Sequence, residues 1–217
     1  VDIGTTTIAM SLTGGDSGKV FHTVTSVNSQ RAYGADVISR IQASVDGKKE
    51  ELQKSIQKDL QDCLEKLLKE AGVSGEGVGK IVIGGNTTMG HLLMGYDCNT
   101  LGVFPFTPVN IDFIKGTEGI LGTDRFGKKE VILLPGISTY VGGDIVSGMY
   151  AYDFTEKEDV CMFIDLGTNG EMGIGNKEKI LVTSTAAGPA FEGGNITWGM
   201  GSVPGAICSA KLNGTEA

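Results

Sequence analysis

The chain has 217 residues, of which 40% are hydrophobic and 20% are charged, a composition typical of one large or two small globular domains. It contains no run of about 18 or more apolar residues, which argues against a transmembrane helix and a membrane partner. The net charge of −8, from 26 acidic and 18 basic residues, argues against nucleic-acid binding, which needs clustered, uncompensated Lys and Arg. The four cysteines form no CxxC pair and only two histidines are present, so we find no zinc or iron–sulfur ligand set and expect reduced thiols in a cytoplasmic protein.

The first third of the chain predicts a β-hairpin, a further strand and two helices. The hairpin covers residues 1–12 around a Gly-Thr turn, and the strand covers Lys19–Val27. A helix is predicted over 35–45 from the spacing of its apolar residues, which are Val37, Ile38, Ile41 and Val45. The clearest helix covers 48–71 and ends at Gly72, and its single apolar stripe consists of Leu52, Ile56, Leu60, Leu64, Leu67 and Leu68.

The middle of the chain predicts two strands and two shorter helices. A strand that starts at Lys80 runs into a glycine turn and a helix from about Thr88 to Met94. Residues 95–130 are irregular, with a glycine-rich, charged hairpin near Asp124–Lys129, and a strand follows over Val131–Leu134. The last helix is predicted over Gly143–Tyr152, with its inward face formed by Ile145, Met149 and Tyr152.

The polar stretch 153–159 is the predicted boundary between two units. After it, Val160–Leu166 is almost wholly apolar and is expected to lie inside a sheet. The chain returns over 171–175, forms another strand over 179–184, and continues into a small-residue, loop-like stretch over 186–206. Because strands and helices alternate, the predicted class is α/β.

One short motif occurs twice. Val1–Thr6 and Ile164–Asn169 both consist of an apolar residue, Asp, an apolar residue, Gly, Thr and a polar residue. The glycine allows a turn in which successive N–H groups converge on an anion, and threonine hydroxyls add donors. Each Asp would repel a phosphate directly, so we expect Mg²⁺, or water bound to Mg²⁺, between them. Two such hairpins that face each other would clamp a polyphosphate in a cleft between two lobes.

A second glycine-rich stretch has a simpler interpretation. Gly14–Val20 differs from a P-loop because its spacing is short and Val20 stands where Ser or Thr is required. It is interpreted as a hairpin turn. A single Asp-x-Gly-Thr copy would also be explained by a tight hairpin, but a copy in each half of the chain favours the phosphate site.

The two copies resemble the phosphate motifs of a known superfamily. Asp2–Thr7 resembles the first phosphate motif, and Asp165–Glu171 the second, of the ASKHA superfamily of acetate and sugar kinases, Hsp70 and actin. Several stretches are more specifically similar to the ATP-dependent reductive activators of corrinoid proteins, in the family's order. They are Asp2–Thr7, Tyr33–Ile41, Gly85–Met89, Leu134–Ser138, Val141–Asp144, Ile164–Glu171 and Thr185–Gly193.

This resemblance implies a two-lobed, actin-, Hsp70- and sugar-kinase-like (ribonuclease H-like) α/β fold. Residues 1–153 would form the first lobe, with an irregular insertion around 95–130, and 154–217 would begin an incomplete second lobe. The implied activity is that of an ATPase that drives reduction of Co(II) to Co(I) on a partner corrinoid protein or corrinoid-dependent methyltransferase. ATP and Mg²⁺ are the implied cofactors. The family's [2Fe–2S] domain has no counterpart in these cysteines, so we expect a fragment that cannot reduce anything alone, and homodimerisation is left open.

The resemblance also implies roles for individual residues. Asp2 and Asp165 would hold Mg²⁺ through water. Asp144 would be an N-cap or the carboxylate that orients the attacking water, and Glu171 would orient water or cap its turn. The implied phosphate contacts are Gly4, Thr5, Thr6, Thr7, Gly167, Thr168, Asn169 and Gly170.

Other positions and two other functions stay open. Asn86–Thr88 is either an anion site or a helix cap, and His91 is expected in the core or on the surface of its helix. Gly188, Glu192 and Gly193 are expected to shape the cleft floor or contact the partner. A small-molecule kinase of the same superfamily would form a phosphorylated product. A non-catalytic docking module would bind a corrinoid partner with or without nucleotide.

Overall fold

The computed structural model describes residues 1–116, 119–123 and 129–186. These residues form two sheets and four α-helices. Most of the predicted hairpin near 124–129, and the whole stretch from 187 onwards, lie outside the described residues.

The first sheet has six strands in the order β3-β2-β1-β4-β6-β5. β1 is parallel to β4, which is parallel to β6, whereas β2, β3 and β5 run antiparallel to their neighbours. The predicted first hairpin, the strand that follows it and the hairpin turn at Gly14–Val20 are confirmed, while β5 was not predicted. The strand bounds are β1 Asp2–Ile3, β2 Thr7–Thr13, β3 Val20–Val27, β4 Lys80–Gly85, β5 Ile114–Gly116 and β6 Glu130–Leu133.

Four α-helices accompany this sheet and connect it to the second one. They are α1 Val37–Ala43, α2 Lys49–Ala71, α3 Thr87–Met94 and α4 Gly143–Ala151. The chain kinks between α1 and α2 at Gly47, where φ is +93°. α2 ends at Gly72 in the left-handed conformation, as predicted, because glycine adopts it without a Cβ clash. None of the described helices is long and apolar enough to cross a membrane.

The larger hydrophobic core lies between α2 and the first sheet. α2 packs against β2, β3 and α3. All six residues of the predicted stripe are buried, and Cys63 joins them. The Lys and Glu side chains of the helix lie on the outer face, where Lys54 and Glu50 form an exposed ion pair.

Only half of the apolar residues predicted to form the inner face of α1 are buried. Val37 and Ile41 are buried, but Ile38 is 57% exposed and Val45 is 42% exposed. The third buried residue of α1 is Arg40. A charged side chain therefore occupies the inner face that an apolar residue was expected to fill, because its guanidinium finds carbonyl acceptors there.

The second sheet contains β7 Cys161–Leu166, β8 Asn169–Gly175 and β9 Ile180–Ala186, in that order. The expectation that the apolar β7 lies inside a sheet is wrong for the described residues, because β7 is an edge strand there. Successive side chains of β7 point to opposite faces of the sheet. Phe163 packs against α4, whereas Met162 and Ile164 lie on the other face and are about half exposed. A run of apolar residues thus marks an edge strand with one covered face.

α4 connects the two sheets. It lies against β4 of the first sheet, and its buried residues Ile145 and Met149 pack against Phe163 and Val182 of the second sheet. The predicted inward position of Tyr152 is wrong: Tyr152 follows the end of the helix and is 69% exposed.

Residues 95–113 form no helix or strand and are fastened to α3 by His91. The ring is 1% exposed, so the core interpretation is confirmed. Val109 N–H donates to its Nε2 at 3.0 Å, so Nδ1 carries the proton and donates to the Thr87 carbonyl at 2.8 Å. Burial lowers the pKa of His91 and so favours this neutral form.

The packing of α2 gives a first prediction. Leu60→Ala removes a side chain that is 1% exposed and leaves a cavity, so we expect the free energy of unfolding to fall by about 2–5 kcal/mol. Lys54→Ala on the exposed face of the same helix is the control and should change it by less than about 0.5 kcal/mol. Urea denaturation followed by circular dichroism measures both, and equal losses would contradict this assignment of the two faces.

Candidate functional site

The first repeat is a tight turn at the end of a central strand. β1 ends at Ile3, and the chain turns through Gly4–Thr6 into β2. Gly4 N–H donates to the Thr7 carbonyl at 3.0 Å. A Cβ on residue 4 would lie only 2.6 Å from the same oxygen, so the turn requires glycine. The turn lies at the carboxyl ends of the parallel strands, where α/β sheets bind their ligands.

The second repeat has the same shape but fewer constraints. β7 turns through Gly167 and Thr168 into β8, and Gly167 N–H donates to the Asn169 carbonyl at 2.9 Å. Among the described residues, a Cβ on Gly167 would meet nothing closer than that carbonyl, at 3.7 Å. The fold itself therefore leaves room for a larger residue at position 167, and the glycine keeps the open side of the turn accessible to a ligand.

The two turns meet at their tips across a cleft of about 260 Å³. The hydroxyl oxygens of Thr6 and Thr168 are 3.1 Å apart and form a hydrogen bond. The structure thus brings together eleven of the twelve residues predicted for the site and places Asn86 beside them. The cleft is lined by Asp2, Gly4, Thr5, Thr6, Thr7, Asn86, Asp144, Asp165, Gly167, Thr168, Asn169 and Glu171.

Gly170 is the predicted site residue that does not line the cleft. It is buried in β8, opposite Leu166 on one side and Thr185 on the other.

Asp144 enters the cleft from the first turn of α4. The N-cap interpretation is wrong, because the cap residue is Gly142 and the helix begins at Gly143. A Cβ on residue 142 would lie 2.3 Å from the Gly85 carbonyl, so only glycine permits α4 to start this close to β4. The Asp144 carboxylate accepts the Ile145 N–H at 2.8 Å and lies at the positive end of the helix dipole.

Glu171 is placed by strand register. It is paired with Asp165 across β7 and β8, and with Ser184 across β8 and β9. The Ser184 hydroxyl donates to its carboxylate at 3.3 Å, and Glu171 is 6% exposed. Burial raises the affinity of this carboxylate for a proton, and it outweighs the side-chain hydrogen bonds from Ser184 and Asn169, which favour the charged form.

Three carboxyl groups of the cleft, those of Asp2, Asp144 and Glu171, have raised pKa values. Burial, and then the charges of Asp2 and Asp165, raise the pKa of Asp144 to about 6. Burial, and then the charge of Asp144, raise the pKa of Glu171 to about 7. The pKa of Asp2 is also raised, first by burial and then by the charge of Asp165. The site therefore favours a proton or a cation.

The arrangement fits a hydrated divalent cation better than a fully protein-bound one. Among the described residues, no three His, Cys, Asp or Glu side chains lie close enough to hold a metal ion together. Mg²⁺ usually keeps several of its waters and binds through one or two carboxylates and substrate phosphates. Asp2 and Asp165, each on the strand that precedes one of the turns, line the cleft and could hold a cation in that way.

The structure answers the question that the sequence left open for Asn86–Thr88. Asn86 is the N-cap of α3, and its Oδ1 accepts the Met89 N–H at 3.0 Å. Its Nδ2 donates to the Thr5 hydroxyl at 3.1 Å, so the cap also supports the first turn. Thr87 donates to the Ser138 carbonyl, at 2.6 Å. The capping interpretation is confirmed, with Asn86 rather than a threonine as the cap.

Two residues behind the first turn were missed from the sequence. Asn28 and Arg40 are both fully buried, and both donate to carbonyl oxygens of the turn. Arg40 belongs to a stretch that carries the family resemblance, Tyr33–Ile41, but no spacing rule connects it to Thr5 in sequence. Gly188, Glu192 and Gly193 lie outside the described residues.

The two sheets, the helix between them and the paired turns define a class: a mixed α/β protein of the ASKHA fold. Residues 1–157 match the family model described as the RACo middle region, and residues 159–217 match the one described as the C-terminal domain of RACo, the ASKHA domain. The chain belongs to the RACo family.

Individual relatives agree with this assignment. The chain is 34% identical over 212 residues to the corrinoid activation enzyme RamQ of Eubacterium limosum, covering 95% of this chain and 35% of the relative. It is 38% identical over 95 residues to the [Co(II) methylated amine-specific corrinoid protein] reductase of Methanosarcina barkeri, covering 44% of this chain and 18% of the relative. A solved structure of a reductive activator for corrinoid, iron–sulfur protein superposes with a TM-score of 0.83 at 37% identity, covering 92% of this chain and 32% of the other. The chain spans about a third of the length of RamQ and of the solved activator.

The raised pKa values predict how stability depends on pH. The folded protein holds the protons of Asp144 and Glu171 more tightly than the unfolded chain. Stability therefore falls as pH rises from about 4, near the pKa values of the unfolded chain, through about 6 for Asp144 and about 7 for Glu171. Without divalent cations, we expect Asp144→Asn to be more stable than the wild type by about 1–2 kcal/mol at about pH 8, and to differ little at about pH 3.5, below the pKa of the unfolded chain.

Thermal unfolding in EDTA across this pH range measures the effect. Asp16→Asn, at the exposed turn between β2 and β3, is the control and should keep the wild-type slope. A pH slope that is the same in Asp144→Asn and in the wild type would contradict the electrostatic description of the cleft.

Proposed function

We propose that this chain binds Mg-ATP between its two turns and is the ATP-hydrolysing module of a corrinoid reductive activator. The observation that carries the proposal is the convergence of two Asp-x-Gly-Thr turns, one from each sheet, on a single cleft that four carboxylates also line. The names of the relatives, which describe corrinoid activation and reduction, supply the cellular context.

The proposed division of work follows the geometry. The N–H and hydroxyl groups of Gly4–Thr7 and Gly167–Asn169 would bind phosphate oxygens, and Asp2 and Asp165 would hold the Mg²⁺ through water. The metal would neutralise phosphate charge and so lift the repulsion between phosphates and carboxylates. The cleft volume of about 260 Å³ suits a phosphate chain, and a complete small-molecule pocket usually has about 300–1,000 Å³.

Asp144 and Glu171 are the candidates for orienting and deprotonating the attacking water. A general base works best when its pKa lies near the operating pH, and the pKa of Glu171 is raised to about 7. Asp144 lies on the helix that joins the two sheets, so its position depends on how the two lobes are arranged. The rate of hydrolysis would therefore depend on whether the two lobes are closed.

In the proposed activator, the nucleotide state sets lobe closure, and lobe closure controls reduction of Co(II) to Co(I) on a corrinoid protein or methyltransferase. The electron would come from a [2Fe–2S] domain outside this chain. The described cysteines are free, and Cys63 and Cys98 are buried, which fits a protein of a reducing compartment such as the cytoplasm.

Calorimetric titration of the full-length protein with Mg-ATP tests nucleotide binding. Asp165→Asn keeps the size of the side chain but removes the charge that would hold the metal, so we expect at least tenfold weaker binding, about 1.4 kcal/mol. Asp159→Asn is the matched control, because Asp159 is exposed just before β7 and does not line the cleft. Absence of ATP binding in the wild type would overturn the proposal.

A second measurement separates the activator from a small-molecule kinase. Phosphate release from ATP is followed with and without a Co(II) corrinoid protein, and the products are analysed for phosphorylated small molecules. Stimulation of phosphate release by the corrinoid protein is expected. A phosphorylated metabolite in place of free phosphate would identify a kinase instead.

A further inference from the structure

The first turn is held from behind through its carbonyl oxygens. Asn28 Nδ2 donates to the Gly4 carbonyl at 2.9 Å, and Asn28 N–H donates to the Thr6 carbonyl at 2.9 Å. Between them, Arg40 Nη2 donates to the Thr5 carbonyl at 2.6 Å. Three successive carbonyl groups of the turn are thus bound to donors of the first lobe.

These bonds fix the direction of the N–H groups. In a planar trans peptide the C=O and the N–H point in opposite directions. When the Gly4 and Thr5 carbonyls point towards Asn28 and Arg40, the N–H groups of Thr5 and Thr6 point the other way. A rotation of the Thr5–Thr6 peptide would turn a carbonyl oxygen towards an anion in the cleft, and the bond from Arg40 prevents it.

Arg40 is an unusual residue for a purely structural contact. It is 0% exposed, and its three acceptors among the described residues are neutral: the Thr5 carbonyl, the Gly34 carbonyl at 2.9 Å and Met89 Sδ at 3.4 Å. The charge of Asp36 acts on it without a hydrogen bond among these contacts. In the described part of the chain it forms no ion pair, and burial lowers its pKa to about 10, so it remains charged at neutral pH. Burying a cation with neutral partners is costly, and a neutral side chain would avoid that cost.

The negative charge of the cleft provides a functional reason for burying this cation. The cleft is lined by four carboxylates and, among the described residues, by no Lys or Arg. Arg40 contacts the first turn from its protected side, where its charge acts through a medium of low polarity rather than through water. It therefore adds positive potential at the turn without projecting into the cleft, where it would pair with Asp2 or Asp165.

We propose that Arg40 is a positioning residue for phosphate binding: it locks the Thr5 carbonyl so that the Thr5 and Thr6 N–H groups face the cleft, and it supplies the positive charge behind them. This inference rests on the proposed ATP site. It predicts that Arg40 affects the affinity for the β- and γ-phosphates and leaves the rest of the nucleotide's binding energy unchanged.

The test compares affinities for Mg-ATP and for AMP, measured by competition in the full-length protein, in Arg40→Met and Arg40→Lys. Methionine has a similar length but neither charge nor donor. We expect Arg40→Met to bind Mg-ATP at least tenfold more weakly and AMP within about twofold of the wild type. We expect Arg40→Lys to recover part of the loss, because it restores the charge but not the planar pair of donors.

Ile56→Ala controls for a loss of stability. Ile56 is 0% exposed in α2 and does not line the cleft. If Arg40 only stabilises the fold, both Arg40 variants will behave like Ile56→Ala. Their melting temperatures will fall, while the ratio of ATP affinity to AMP affinity stays at the wild-type value. That result would overturn the inference. If Arg40→Met does not fold, the ratio in Arg40→Lys decides in the same way.

The outcomes also separate this inference from the proposed function. A wild type that binds Mg-ATP, together with Arg40 variants of unchanged ATP-to-AMP ratio, would overturn the role of Arg40 and leave the ATP site standing. A wild type that binds no Mg-ATP would overturn both.

Discussion

The gathering of four carboxylates between two sheets is the constraint on which the site depends. Asp2, Asp144, Asp165 and Glu171 line one cleft, and their charges repel one another. Each comes from a different part of the fold: β1, the first turn of α4, β7 and β8. Folding therefore places like charges together that the unfolded chain keeps apart. Since this arrangement opposes stability, it is explained more readily by a function that requires the charges than by packing.

The two turns share a sequence pattern but differ in the side-chain contacts that hold them in place. The first is surrounded by Asn28, Arg40 and Asn86, and its glycine is required by the chain itself. The second follows an edge strand of the described sheet, and its glycine has open space around it. The first turn is thus built as a fixed platform and the second as the more adjustable partner. In the proposed function, this asymmetry would suit a clamp in which the second turn moves against the first.

Features that depend on local chemistry could be predicted from the sequence. The stripe of α2, its stop at Gly72 and the two hairpins follow from periodicity and turn residues, and all were found. The two copies of one motif also predicted which residues would meet, because each copy ends a strand at a glycine turn. Eleven of the twelve predicted site residues line the same cleft.

The sequence-based predictions were wrong where tertiary contacts, rather than local sequence, determine which side chains are buried. Ile38 and Tyr152 follow an apolar pattern, yet both are exposed. The short helix α1 buries only a narrow face that excludes Ile38, and α4 ends one residue before Tyr152. β7 is apolar except for Asp165, but the described sheet covers only one of its faces. Arg40 could not be found from periodicity, because its role comes from a carbonyl group 35 residues earlier in the chain. Such long-range contacts to the backbone leave no local signal in the sequence.

The contact between the turns is weak enough to be exchanged for a ligand. A hydrogen bond between the Thr6 and Thr168 hydroxyls contributes about 0.5–1.5 kcal/mol, whereas shifting a two-state equilibrium from 1:99 to 99:1 takes about 5.5 kcal/mol. Hydrogen bonds to charged groups contribute about 1.5–3 kcal/mol each. A polyphosphate that accepts three or four such bonds from both turns would therefore supply the difference. In the proposed function, the direct contact of the hydroxyls marks where a phosphate would join the two lobes, and α4, which packs on both sheets, would transmit the change to the position of Asp144.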